Sequence, residues 1–400
     1  MPAGAPARRV VVTGLGVISC IGSDLDSFYK GLCAAAPERE RRVEDFSAET
    51  YMDAKEARQT DRFAQFSIAS ADLALRDAGE LGLEPSRVGV IFGTGVGGLE
   101  TLQDQIVVLA EKGPRRVSPR LVPMIMGNAG AAAISMHHVL RGPCETIVTA
   151  CAAGAQSIGN AYRLIASGRC EAMVTGGAEA AMSAAGGLPS IGIAAFSNMT
   201  ALSRSGISRP FDVGRDGFVI AEGGAALVLE ELEHARARGA HIYAELLGAA
   251  SNADAFHITA PAPGGAGAAE CMRLALEDAG IEAGDVVHIN AHGTSTPAND
   301  LAESEAIVSV FGDTPPPVTS FKGVTGHALA GAGAIEAVGV CLSLQHGEIP
   351  PTAGLTNQDP EIHLDVVSGA PRAFTPGPVL SNSFGFGGHN GCLVFAPLAA

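Results

Sequence analysis

The sequence predicts an α/β fold in which mostly parallel strands are covered by helices, and it predicts two similar halves. Short β-branched runs alternate with helical patterns along all 400 residues, which is typical of parallel sheets. Hydrophobic residues make up 47% of the chain and glycines number 51, which suits a large, closely packed core. The segments ETIVTACAAG (from 145) and VTSFKGVTGHALAG (from 318) both read as strand, short turn and small-residue helix, which indicates an internal duplication.

The predicted strands are apolar or β-branched runs, and the predicted helices lie between them. The strands are 10–13, 88–92, 146–149, 172–174, 225–229, 286–290, 318–320 and 392–395. The helices include 61–78, 156–167 and 268–279, the last closed by Gly280. We place the junction of the halves near 247–251, which gives an N-terminal half over 1–248 and a C-terminal half over 249–400.

Composition argues against several classes of protein. A net charge of −16 opposes nucleic-acid binding, which needs a positive field. No apolar run reaches the ~20 residues that a bilayer requires, and residues 1–9 lack a signal-peptide layout, so we expect a cytoplasmic protein without membrane insertion. Eight cysteines without a CxxC pair argue against a metal cluster or a disulfide framework.

Cys151 differs from the other cysteines in its position. A predicted strand runs directly into Ala150 and Cys151, and a helix follows. A thiol at a helix N-terminus sees the positive end of the dipole, which favours the thiolate. The next residues, 152–155, are small, so a bulky substrate could approach. On local sequence alone, a nucleophile and a packed structural cysteine both stay open.

Two histidines follow predicted strands in glycine-containing segments. His292 precedes a turn rich in hydroxyl groups, and His327 stands at the start of an Ala/Gly helix, five residues after Lys322. Because a helix N-terminus opposes imidazolium, we expect His327 to be neutral. Two neutral donors suit a thioester oxygen whose α-carbon becomes a carbanion. For either histidine alone, a structural role stays open.

Two glycine-rich segments also follow strands. Residues 93–98 formally match GxGxxG, but no acidic residue ends a second strand about twenty residues later, so we expect close backbone packing or a substrate-tunnel turn instead of a dinucleotide site. Residues 383–388 place two phenylalanines among glycines, which predicts a mobile loop that excludes water.

Four motifs together resemble the β-ketoacyl-[acyl carrier protein] synthases, most closely the long-chain type II group of bacterial fatty acid synthesis. They are VTACAAG, INAHGTSTPAND, FKGVTGHALAGAGA and SNSFGFGGHN, in that order, and the resemblance covers essentially the whole chain. It implies the thiolase fold, a duplicated five-layered αβαβα core, usually in a homodimer. It also implies acyl carrier protein as the partner and no required cofactor.

The resemblance further implies a Cys-His-His triad of Cys151, His292 and His327. Cys151 would take the acyl chain as a thioester, and malonyl-carrier protein would lose carbon dioxide with its thioester oxygen between the histidines. The N–H groups of Cys151 and Phe386 would form an oxyanion hole, and Phe386 would also be a gate. Thr294 and Thr296 would line the malonyl site, with Lys322 and Glu303 as supporting polar residues, and Val96 would gate the acyl pocket. A structural monovalent cation would bind at Asn290, Glu336, Ser381 and Asn382.

A negatively charged chain should repel an acidic carrier protein at long range, so docking needs a local cluster of cations. Our candidates are Arg115 and Arg116, reinforced by Lys55, Arg58 and Arg62.

Three features depart from the family pattern: Ala152 and Ala153 replace hydroxyl residues, the segment 181–193 is longer, and Thr200 stands where relatives carry an arginine. A catalytic polyketide ketosynthase subunit would share all four motifs. A non-catalytic partner subunit would lack Cys151. A degradative thiolase would need a second cysteine in the loop 385–389, whereas Cys392 lies in the following strand.

Overall fold

The computed structural model describes residues 8–35 and 41–399, and within these ranges the chain has twelve strands and thirteen α-helices. The strands are β1 (Val10–Ile18), β2 (Val88–Gly93), β3 (Cys144–Ile147), β4 (Ala172–Glu179), β5 (Gly223–Glu231), β6 (Ala244–Ala253), β7 (His288–Asn290), β8 (Val318–Thr319), β9 (Glu348–Ile349), β10 (Arg372–Ala373), β11 (Val379–Gly385) and β12 (His389–Ala396). The helices are α1 (Leu25–Leu32), α2 (Ala54–Ala57), α3 (Arg62–Ala78), α4 (Leu99–Lys112), α5 (Leu121–Ile125), α6 (Ala129–His137), α7 (Ala153–Ala166), α8 (Ile191–Asn198), α9 (Leu232–Ala237), α10 (Ala266–Ala279), α11 (Pro297–Phe311), α12 (Lys322–Thr325) and α13 (Ala332–His346).

Ten strands form one sheet in the order β3-β2-β4-β5-β1-β6-β12-β11-β7-β8. The order is symmetrical about the β1–β6 pair, because each half places its strands in the same sequence from edge to centre. Pairing is parallel in β3-β2-β4 and β11-β7-β8 and antiparallel between them. The division of the chain at residues 248 and 249 stays a prediction, and that position falls inside β6.

The helices α7 and α13 lie between the two halves of the sheet, because each contacts strands of both halves. On the outer faces, α3 covers β1, β4 and β5, and α10 covers β6 and β12. The two halves of the sheet are therefore separate layers, and the order of layers is helix, sheet, helix, sheet, helix. This order confirms the predicted thiolase-like fold. The segment Leu329–His346 is long and apolar enough to cross a membrane, but 89% of it is buried inside the protein as this central layer.

The strand predictions failed where glycine and alanine replace β-branched residues. β1 extends to Ile18 although Gly14 and Gly16 interrupt the pattern. A Cβ at Gly16 would lie 2.1 Å from the carbonyl oxygen of Ser70, so these glycines let α3 pack directly on the strand. β6 was missed for the same reason: a Cβ at Gly248 would lie 2.5 Å from the backbone nitrogen of Ala279 in α10. β11, rich in serine and asparagine, was also missed.

Candidate active site

Cys151 lies in the tight turn between β3 and α7, where residues 150–152 form a single 3₁₀ turn before the helix. Ala150, immediately before it, has a φ of 50°, the left-handed region that residues with a Cβ rarely adopt. The turn places the Cys151 sulfur 3.0 Å from Nε2 of His327, 176 residues away in sequence.

Left-handed backbone recurs beside the other predicted site residues. Ser295, in the turn after His292, has a φ of 69°, and Leu329, two residues after His327, has a φ of 48°. Strained backbone of this kind persists only where the surrounding structure holds it, and it is concentrated at functional sites. Here it allows three chain segments to turn sharply around one sulfur atom.

Burial raises the pKa of the Cys151 thiol to about 12, and the negative charge of Glu179 adds to this effect. The charge of Lys322 and the backbone N–H groups of Phe386 and Cys151 oppose it, because they stabilise a thiolate. The expectation that the helix dipole favours a thiolate in the resting protein is therefore wrong for this structure, since desolvation outweighs it. A protonated thiol needs a proton acceptor, and Nε2 of His327 is within hydrogen-bond distance.

His292 and His327 are both buried, and their ring centroids lie 5.3 Å apart at an interplanar angle of 85°. Burial lowers the pKa of each imidazole well below its usual value, and the nearby charge of Lys322 lowers it further. Both rings are therefore neutral, as expected from the sequence for His327.

Lys322 determines which nitrogen of His292 carries the proton. Its Nζ lies 3.4 Å from Nδ1 of His292, and an ammonium group can only donate. Nδ1 must therefore accept, and the proton of the neutral ring is on Nε2. The Lys322 ammonium is itself held by a buried ion pair with Glu336.

Glu303 holds the loop that carries His292. Its two carboxylate oxygens accept hydrogen bonds from the backbone N–H groups of His292 and Gly293, both at 2.8 Å, and Nδ2 of Asn382 donates to it at 3.2 Å. Burial raises the pKa of Glu303 to about 7, and these three donors oppose that rise. Glu303 therefore lies behind the loop that carries His292, a position that suits the supporting role expected for it.

A cavity of about 390 Å³ opens onto these groups. Cys151, both histidines and Phe386 line it, as do the two hydroxyl residues of the predicted malonyl site, Thr294 and Thr296. The hydroxyl oxygens of Thr294 and Thr296 are 2.9 Å apart, and Thr296 also caps α11.

The loop 384–388 packs directly against the nucleophile turn. A Cβ at Gly385 would lie 2.8 Å from the carbonyl oxygen of Thr149 and 3.1 Å from the backbone nitrogen of Cys151, so the close approach requires glycine. The backbone N–H groups of Phe386 and Cys151 lie near enough to the Cys151 sulfur to favour its ionised form and lower its pKa. Two backbone donors beside a nucleophilic atom are the arrangement of an oxyanion hole.

The predicted cation site is only partly free to bind an ion. Nδ2 of Asn290 donates to the Ser381 hydroxyl at 3.0 Å, one oxygen of Glu336 is paired with Lys322, and the Asn382 amide is directed at Glu303. Oδ1 of Asn290 and Oε2 of Glu336 are buried without a hydrogen-bond partner. Among the described residues, no group of three or more His, Cys, Asp or Glu side chains could hold a metal ion.

Two expected positions differ in the structure. Val96 does not line the cavity, since its side chain is on the surface and 48% exposed. Arg62 is not available for docking, because its guanidinium is bound by the buried carboxylate of Glu222 at 2.7 and 3.0 Å and lies over the ring of Phe66. The remaining docking candidates, Arg115, Arg116, Lys55 and Arg58, are exposed.

Sequence reasoning missed Glu179 at the end of β4. It is fully buried, and it accepts hydrogen bonds from the Thr94 hydroxyl at 2.9 Å and the Gly95 N–H at 2.7 Å. It therefore ties the loop 93–98 to β4, and a Cβ at Gly98 would lie 2.6 Å from the carbonyl oxygen of Met124. The loop is thus a close-packing feature. A single acidic residue in the apolar segment GGAEAA was the signal that could have found Glu179.

A half-buried thiol, two neutral histidines and paired backbone N–H groups on a thiolase-like fold are the features of an enzyme that forms thioesters. Family models agree: the beta-ketoacyl synthase N-terminal domain matches residues 34–235 and its C-terminal domain matches residues 243–356. The chain therefore belongs to the β-ketoacyl synthase family.

Relatives and solved structures of similar length support this assignment. The chain is 44% identical to a 3-oxoacyl-[acyl-carrier-protein] synthase 2 of Synechocystis sp. over 97% of the chain and 98% of that protein. It is 41% identical to the protein of the same name from Staphylococcus aureus strain COL over 98% and 99%. Among solved structures, the ishigamide ketosynthase/chain length factor superimposes with a TM-score of 0.90 at 35% identity, covering 98% of this chain and all of that one. A beta-ketoacyl synthase from Burkholderia phymatum gives 0.89 at 34%, with the same coverage.

Proposed function

We propose that this chain is a cytoplasmic type II β-ketoacyl-[acyl carrier protein] synthase, which elongates fatty acyl chains by decarboxylative Claisen condensation. The observation that carries the proposal is the 3.0 Å contact between the Cys151 sulfur and Nε2 of His327, with His292 beside it in the same cavity. The backbone donors of Cys151 and Phe386 complete a site for a tetrahedral oxyanion.

In the first half-reaction, the Cys151 sulfur attacks the carbonyl carbon of an acyl thioester on the carrier protein. The thiol proton passes to Nε2 of His327, and the oxyanion is held by the two backbone N–H groups. The carrier thiolate then leaves and takes that proton. Nδ1 of His327 has no hydrogen-bond partner among the described residues, so no contact fixes its tautomer and Nε2 can accept in this step and donate in the next.

In the second half-reaction, the thioester oxygen of malonyl-carrier protein lies between Nε2 of His292 and Nε2 of His327. Breaking the carbon–carboxylate bond releases carbon dioxide, and the electron pair moves onto that oxygen as an enolate. Its carbon attacks the acyl carbonyl on Cys151, the carbon–sulfur bond breaks, and the sulfur takes a proton from solvent. Neutral donors suit this step because they stabilise an enolate without protonating its carbon.

The test separates the two half-reactions. Peptide mapping after incubation with acyl-carrier protein should find the acyl group on Cys151; finding it on Cys144 or Cys170 would refute the assignment. His292→Ala and His327→Ala should each lower carbon dioxide release from malonyl-carrier protein by roughly 10²-fold or more, while Cys151 is still acylated to some degree. Normal decarboxylation in His327→Ala would contradict the mechanism.

A structural monovalent cation is part of the same proposal. The unpaired oxygens of Asn290 and Glu336 would hold it, with Ser381 and Asn382 alongside, and it would link β7, α13 and β11 without taking part in the reaction. Thermal unfolding in sodium, potassium and choline chloride at equal ionic strength tests this, because a bound ion raises the melting temperature. Equal melting temperatures in all three salts would exclude the ion.

We also propose that the chain forms a homodimer through β3. This strand is at one edge of the sheet, and its residues Cys144 and Glu145 are exposed. Exposed apolar side chains surround it: Val96, Val122, Met126, Met136, Val139 and Val148. An unprotected edge strand beside an apolar surface suits pairing with the same strand of a second copy. In such a dimer the second copy would cover Val96. The proposed role of Val96 as a gate of the acyl pocket would then require the dimer.

A second candidate function is that of a catalytic ketosynthase subunit in a type II polyketide system. The observation in its favour is the superposition on the ishigamide ketosynthase/chain length factor. The two functions differ in what the chain needs: a fatty acid enzyme elongates acyl-carrier protein as a homodimer, whereas a polyketide subunit requires a second, ketosynthase-like chain. Elongation by the purified chain alone would favour the first function, and activity only with such a partner would favour the second.

A further inference from the structure

Two buried sulfur atoms contact the side chain of Asn382, behind the loop that carries His292, and a third lies beside one of them. They belong to Cys392 on β12 and to Cys271 and Met272 on α10, and all three side chains are fully buried. The Cys392 sulfur lies 3.3 Å from Oδ1 of Asn382, and the Met272 sulfur lies 3.5 Å from its Nδ2. Cys271 is within hydrogen-bond range of Cys392. The active-site chemistry described above uses none of these sulfurs.

The Cys392 thiol is one of two groups that fix which way the Asn382 amide faces, and the Glu303 carboxylate is the other. An amide oxygen can only accept a hydrogen bond, so the S–H of Cys392 must donate to Oδ1. The NH₂ group is thereby directed to the other side, where it donates to Oε1 of Glu303 at 3.2 Å. A flipped amide would place its oxygen against the Glu303 carboxylate, which is repulsive.

Glu303 transmits this orientation to the active site, because its oxygens hold the backbone N–H groups of His292 and Gly293. The contacts form one continuous chain from Cys392 through Asn382 and Glu303 to His292. Its far end is the imidazole whose Nε2–H faces the reacting thioester.

We propose that Cys392 is a positioning residue for the decarboxylation step, acting on His292 through Asn382 and Glu303. This inference rests on the proposed function. It adds a requirement for a hydrogen-bond donor at position 392, deep inside a strand and away from the cavity.

The experiment compares Cys392→Ala, which removes the donor, with Cys392→Ser, which keeps one. We expect decarboxylation by C392A to fall about fivefold to tenfold, and C392S to restore it. Acylation of Cys151 should be unchanged in both variants. Cys341→Ala, which removes an equally buried thiol on α13, is the matched control and should behave as the unmodified chain.

The outcomes separate this proposal from the proposed function. An unmodified chain that does not acylate Cys151 would refute the function itself. Normal decarboxylation in C392A, equal loss in C392S and C392A, or equal loss of acylation and decarboxylation would overturn the role of Cys392. If C392A does not fold, Cys392→Val, which has similar volume and no donor, is measured against C392S in its place.

Discussion

At the scale of single residues, the site depends on one buried cation. Lys322 fixes the tautomer of His292, lowers the pKa of both imidazoles, and opposes the burial that raises the pKa of Cys151. Because the Lys322 ammonium is buried, it needs the Glu336 carboxylate as a partner, and removing both charges from water costs free energy. Lys322 therefore couples the protonation of Cys151, His292 and His327.

Replacing Lys322 with methionine should disable decarboxylation and spare part of the acylation. The variant leaves Nδ1 of His292 without a donor, so we expect carbon dioxide release to fall by roughly 10²-fold. Glu336→Gln in the same chain removes the carboxylate left unpaired and should restore the melting temperature without restoring activity. Lys30→Met, on the exposed end of α1, is the control, and a K322M variant with full decarboxylation would contradict this account.

His288 should make the protein sensitive to acid. It is fully buried on β7, neither ring nitrogen has a hydrogen-bond partner in the part of the chain that the structure describes, and burial lowers its pKa from 6.5 to about 3. The unfolded chain therefore binds a proton below pH 6.5 that the folded chain does not, so stability is complete above that pH and decreases as pH falls towards about 3.

His288→Phe should remove this contribution, which is about 2 kcal/mol at pH 5. Urea unfolding at pH 7.5 and pH 5 gives the decrease in unfolding free energy between the two pH values. This decrease should be smaller in H288F than in the unmodified chain by that amount. The exposed His363→Phe is the control. An unchanged loss in H288F would show that other groups cause the acid sensitivity.

At the scale of elements, the site is assembled where short loops meet at the ends of strands. The turn after β3, the segment after β8 and the loop after β11 converge on the Cys151 sulfur, and glycines allow the closest of these approaches. The loop after β11 carries both the oxyanion donor and the aromatic ring of Phe386, so movement of this loop would change access and electrostatic stabilisation together.

Gly385→Ala should therefore impair catalysis by displacing the Phe386 N–H, although it adds only one methyl group. The new Cβ would lie 2.8 Å from a backbone oxygen, so the loop must shift. We expect kcat to fall by about 10²-fold, the loss typical of one oxyanion donor. Gly284→Ala, where a Cβ would meet open space, is the control. Wild-type kcat in G385A would mean that the loop contributes no donor.

At the scale of the whole molecule, charge and surface decide the partners. The net charge of −16 should repel an acidic carrier protein, so we expect docking to depend on a local cluster that includes the exposed Arg115 and Arg116. The structure adds Lys112 and Arg120, exposed on the same segment, and it removes Arg62 from the set.

Charge reversal at both Arg115 and Arg116 should raise the apparent KM for acyl-carrier protein and weaken its salt dependence, because rim charges act mainly on association. Acylation by a small uncharged thioester should hardly change. Arg236→Glu with Arg273→Glu makes the same change in net charge elsewhere and is the control. Equal impairment with both acyl donors would place the two arginines in the fold or the active site.

The dimer prediction concerns the edge of the sheet. Met136 on α6 is 74% exposed beside β3, so Met136→Glu should introduce a charge into the interface and shift the chain to the monomer in analytical ultracentrifugation. Leu274→Glu, on the outer helix α10, should leave the mass unchanged. A stable dimer in M136E would exclude this surface from the interface.

Much of this protein could be predicted from its sequence. Alternating patterns predicted the α/β class, and the four motifs predicted the family, because strand-turn-helix signals are local. The same signals predicted that Cys151 and His292 follow strands. They failed for β6 and β11, where small residues serve close packing between layers and carry no strand pattern of their own.

Only the tertiary structure decided the chemistry of the site. Cys151 and His327 are 176 residues apart, and packing alone brings them to 3.0 Å. Burial, which no sequence pattern measures, reverses the thiolate expected from the helix dipole and neutralises both histidines. Packing also binds Arg62 to Glu222 and directs Asn382 at Glu303. Desolvation and charge pairing depend on neighbours that are distant in the chain, so the sequence determined which groups are present and the fold determined what each can do.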